Sequence, residues 1–172
     1  MPSSDKKSSS TLPRRLATDA MLLSAALILS YLEAILPLQL PVFGFKLGLA
    51  NIAIVLASYR AGRSDALVIT LLRVFITSLL FGSVTSFCFS LAGGLLAWGT
   101  VALTKPLYGK ISLVGVSVSA AAAHNLGQTL AACLLFTSIA PASFLGWLFL
   151  LSVPAGILTG LLGEAILRIL KS

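Results

Sequence analysis

Arg73 stands inside an otherwise apolar stretch running from Asp65 to Lys105. At the middle of a bilayer a guanidinium costs about 3 kcal/mol even on lenient scales, and intramembrane charges commonly mark ion or substrate pathways. Glu33, Lys46, Asn51, His124, Asn125 and Gln128 are set in comparably apolar surroundings. Lys46 and Arg73 offer cationic donors to an anion. Asn51, Asn125 and Gln128 offer amides that could orient it, and His124 offers an imidazole that could sense its protonation state. The set suits recognition of a small charged molecule. Each residue also has a bland reading, with Arg73 paired to Glu33, and His124 and Gln128 bonding across helices.

The elements that must position these groups follow from composition. Of 172 residues 58% are hydrophobic and 10% charged, with a mean hydropathy of +1.03. That places the chain among all-α integral membrane proteins. A spanning helix takes about 20 residues, so no room is left for a second folded domain. Residues 1–15 are Ser-rich and basic and read as a disordered cytoplasmic tail; residues 16–172 form a single transmembrane domain. Leu16 to Leu36 is too long for a signal peptide's apolar core and reads as a retained first span. Pro37 and Pro41 break the chain into a loop.

The remaining spans read as about Lys46–Tyr59 (short, tilted or re-entrant), Asp65–Phe81, Phe87–Thr104, Ser112–Ser138 and Phe144–Leu170. Ser64 is placed as the cap of the third. With the N-terminus inside, Lys6, Lys7, Arg14, Arg15, Arg60, Arg63, Lys105, Lys110, Arg168 and Lys171 all fall on the inner side, and only Lys46 falls outside. This asymmetry predicts six transmembrane helices with both termini cytoplasmic, in the cell membrane. It also assigns the net charge of +7 to topology, not to nucleic acid.

Rise per residue then sets depth. Arg73 comes out about 13 Å above the inner end of its span, Asn51 about 14 Å and His124 about 18 Å, with Gln128 one turn higher. Lys46 and Glu33 fall roughly 21 to 25 Å up, an axial offset from Arg73 to Glu33 of about 12 Å. The polar groups therefore outline a pocket open to the outside.

Other features read as structural. Cys88 and Cys133 are small apolar fillers, and nothing resembles a metal site or calls for a cofactor. Glu164 with Arg168, and Arg15 with Asp19, have helical ion-pair spacing. Small residues at Ser119, Ala123, Gly127 and Ala131, at Gly156 and Gly160, and at Ala20 and Ser24 form stripes that pack helices together or dock a partner.

The segments Gly44-Phe-Lys46-Leu-Gly48-Leu-Ala-Asn51, Leu71-Leu-Arg73, Phe81-Gly82-Ser83, Ser90-Leu-Ala-Gly93-Gly94 and His124-Asn125-Leu-Gly127-Gln128 together resemble one family. It is the small membrane family described as heptaprenyl diphosphate synthase component I, also called Gx transporters. That family is similar to the substrate-binding S components of energy-coupling factor (ECF) vitamin transporters. The resemblance implies an S-component-like bundle that captures a substrate and works with a transmembrane coupling protein and ATPase subunits.

Prenyl diphosphate synthesis needs clustered aspartates to hold metal-bound pyrophosphate, and the five acidic residues here are scattered, so a catalytic role is not expected. Nor is there a phosphate-binding loop for ATP. The leading expectation is a lipid-embedded subunit capturing a small anionic, partly hydrophobic compound, such as an isoprenoid diphosphate or a quinone or vitamin precursor. Its candidate ligands are Lys46, Asn51, Arg73, His124, Asn125, Gln128 and Glu33. Two alternatives stand beside it: a non-catalytic accessory of a polyprenyl synthase or membrane redox complex, and an ion-coupled porter using His124 and Glu33.

Overall fold

The computed structural model describes residues 11–35, 51–107 and 109–169. These form six α-helices: α1 (Thr11–Ile35), α2 (Asn51–Arg60), α3 (Arg63–Phe81), α4 (Val84–Thr104), α5 (Leu113–Leu135) and α6 (Leu145–Ile169). A 3₁₀ turn, Lys105–Leu107, follows α4, and another, Ala140–Phe144, leads into α6.

α2 is the axis of the bundle. Every residue from Asn51 to Ser58 is buried, and the helix touches each of the other five. A helix apolar all round must be buried all round. Ile52, Ile54, Val55 and Leu56 supply the core, packed with Ala97 and Val101 of α4, Leu113, Val116 and Ala120 of α5, and Leu167 of α6. Its ten described residues rise about 15 Å. Lys46, at the expected start of this span, lies outside the described residues.

The outward faces are apolar. Leu79, Leu103, Leu134 and Ile139 are each at least 75% exposed, an inside-out pattern suited to a hydrocarbon solvent and not to water. Among the described residues, Leu12–Glu33, Arg63–Phe81, Val84–Leu107 and Ala140–Ile169 are long and apolar enough to cross a membrane. α5 has the length, 23 residues, but His124, Asn125 and Gln128 lower its hydropathy.

Several boundaries move. Residues 11–15, expected in the polar tail, form the first turn of α1, where Pro13 is tolerated because early helical N–H groups lack carbonyl partners. α3 starts at Arg63 after Gly62, which takes a positive φ of 125°, so Ser64 is helical and does not cap. α4 begins at Val84, capped by the Ser83 side chain. Arg15 turns from Asp19 to clasp Asp65 of α3 with two hydrogen bonds, that of Nε at 2.8 Å. The Glu164–Arg168 pair forms, at 3.9 Å.

The small-residue stripes divide between interfaces. A Cβ on Gly127 would come within 2.5 Å of the Ala92 carbonyl oxygen in α4, and one on Gly160 within 2.6 Å of Val114 Cα in α5. A Cβ on Gly156 would strike Val118 of α5. These glycines are consumed by internal packing. Ser119 is exposed, its hydroxyl bonded to the Gly115 carbonyl.

Candidate functional site: a buried polar cluster around Gly93 and Gly94

Two contacts fix α1 beside α3. Arg15 meets Asp65, and the rings of Tyr31 and Phe81 lie 5.2 Å apart. Both pairs are 50 positions apart, so the helices run parallel in constant register. Glu33 then stands about 15 Å beyond the level of Arg73 along the axis. Its carboxylate nonetheless acts electrostatically on the Arg73 guanidinium, so the expected offset does not isolate the two.

Arg73 is 7% exposed, and its Nε and Nη2 have no hydrogen-bond partner among the described residues. The guanidinium sits against α4 where that helix is bare: a Cβ on Gly94 would lie 3.7 Å from Arg73 Nη2 and 3.1 Å from Thr70 Cγ2. The adjacent Gly93 turns toward α5. A Cβ there would come within 2.9 Å of both His124 Cε1 and Gln128 Cγ. Two successive glycines thus let α3 and α5 bring Arg73, His124 and Gln128 around one short stretch of α4.

Asn51 opens α2. Its neighbour Ile52 belongs to the same core cluster as Ala97 and Ala120, which lie one turn from Gly93 and His124 respectively. The Asn51 side chain is buried and its Oδ1 accepts no hydrogen bond among the described residues. An unfilled acceptor and two unfilled guanidinium donors are unusual, because burying such groups unpaired carries a desolvation penalty of about 1–3 kcal/mol each.

Asn125 is different. Its Nδ2 donates to the Leu148 carbonyl at 3.0 Å and to Ser152 Oγ at 2.9 Å, tying α5 to α6. Gln128 faces two ways: it packs over Gly93 and also lines a cavity of about 420 Å³ between α4, α5 and the second 3₁₀ turn. The glycine pair is the packing element that residue-by-residue reading missed. Its signal was present in the Gly93-Gly94 motif, but its meaning depends on the α3 and α5 side chains that meet it.

Fold and site together define an all-helical membrane protein with a buried polar cluster around Arg73. Within that class, the chain belongs to the heptaprenyl diphosphate synthase component I family, whose model matches residues 22–166. No curated protein and no solved structure matches it.

Proposed function

We propose that the protein is a six-pass, substrate-binding subunit of an uptake system in the cell membrane, resembling an ECF S component. It would capture a small anionic, partly hydrophobic compound on the outer side. The reading rests on one observation above all: the buried Arg73 guanidinium with two unfilled donor positions, its Nη2 beside the bare Gly94 backbone. A phosphate or carboxylate there would satisfy those donors and supply the nearby counter-charge a buried cation requires. Asn51 and His124 would complete the contacts, with Gln128 at the edge toward the cavity. Lys46 and Glu33 would lie above, nearer the entrance, while Asn125 supports the wall. Transport would be driven through a separate coupling protein and its ATPases.

The family description favours a second reading, in which the protein is a non-catalytic membrane accessory of a prenyl diphosphate synthase. The same cationic cluster would then hold an anionic prenyl compound for a partner enzyme. Co-purification separates the two. A transport subunit brings down a membrane coupling protein with ATPases, and an accessory brings down a soluble synthase subunit. Both readings require Arg73→Ala to fold and to lose anion binding; an Arg73→Ala protein that binds as the wild type does sinks both.

A further inference from the structure

The cavity beyond Gln128 has its own chemistry. Its volume of about 420 Å³ lies within the range of roughly 300–1,000 Å³ usual for small-molecule sites. Phe89 of α4, Ala132 and Phe136 of α5, Phe144 of the 3₁₀ turn and Leu148 of α6 make its apolar walls. Phe89 and Phe136 meet edge to face with centroids 6.2 Å apart. Among the described residues no charged side chain lines it.

Both of its hydroxyls already make a hydrogen bond. The Thr129 hydroxyl donates to the Asn125 carbonyl at 2.9 Å, and Ser138 Oγ accepts from the Ala140 N–H at 3.2 Å. The Gln128 amide differs. That residue is only 5% exposed, and its side-chain amide makes no hydrogen bond among the described residues.

We propose that this cavity binds a neutral ring compound carrying one amide, ketone or hydroxyl group, which hydrogen-bonds to Gln128. A charged group would enter an all-neutral lining without a counter-ion. A purely hydrocarbon occupant would leave the Gln128 amide unsatisfied, and aromatic walls favour a ring that stacks edge-on or offset. The inference does not depend on an anion at Arg73.

Equilibrium dialysis of the detergent-purified protein with 2-naphthamide tests it, with naphthalene as the comparison. The wild type binds 2-naphthamide saturably. Gln128→Leu, which keeps the volume and removes the amide, weakens that binding about tenfold but leaves naphthalene unchanged. Ala132→Phe, which narrows the cavity, weakens both, and Arg73→Ala alters neither. Non-saturable uptake by the wild type, or equal 2-naphthamide binding by wild type and Gln128→Leu, overturns the proposal. The Gln128→Leu arm decides the matter even if Ala132→Phe does not fold.

Discussion

The end of the bundle that holds Arg15 and Lys105 and the mid-level around Gly93 and Gly94 treat cations in opposite ways. At the first, charges are closed off: Asp65 takes Arg15, and Lys105 Nζ donates to the Ser58 carbonyl at the end of α2 while lying 5.9 Å from the Tyr59 ring. Trp98 Nε1 donates to the Arg63 carbonyl at 2.9 Å. These bonds join α1 to α3, α4 to α2 and α4 to α3, so the charges act as fasteners. At mid-level Arg73 is more deeply buried, yet two of its donors are left open. Charge that fastens has hydrogen-bond partners nearby; Arg73 Nε and Nη2 have none among the described residues.

Substitutions can break that contrast, and the largest effect belongs to neither region. Gly156→Leu drives a side chain into the Val118 backbone, beyond the 1–3 kcal/mol typical of overpacking a yielding core. Size-exclusion chromatography should find no monodisperse protein. Arg73→Ala comes next: anion affinity measured by titration should fall about 100-fold, as expected for two lost charged hydrogen bonds, with the melting temperature unchanged or raised. Asp65→Ala should do the reverse, lowering the melting temperature while sparing anion affinity, because it unfastens α1 at one end only. Glu164→Gln should shift stability by about 0.3 kcal/mol or less in a thermal melt, since the pair it removes is long and largely exposed. If Arg73→Ala and Asp65→Ala destabilise alike, the two regions do not differ in kind.

Much of this was legible in the chain. Apolar run lengths placed the helices, and polar residues in those runs pointed to Arg73, His124 and Gln128. The rest required tertiary information. Arg15 and Asp19 have ideal pair spacing, yet Asp65, 50 positions away, offers a better geometry at a helix junction. Asn125 reads as a ligand group in the sequence, and only packing shows its amide nitrogen bonded to Leu148 and Ser152 of α6. The cavity depends on a 3₁₀ turn whose approach to Phe89 no periodicity encodes. Gly93 and Gly94 could be seen as motif letters, but only packing shows that they are bare because Arg73 and His124 press from two sides.

Native mass spectrometry of wild-type and Arg73→Ala proteins, purified from the membrane under the same conditions, tests the central claim most directly. The account predicts an anionic adduct of constant mass on the wild type, absent from an Arg73→Ala protein that remains folded. The same adduct on both proteins, or an Arg73→Ala chain that fails to fold while the wild type carries none, would contradict it.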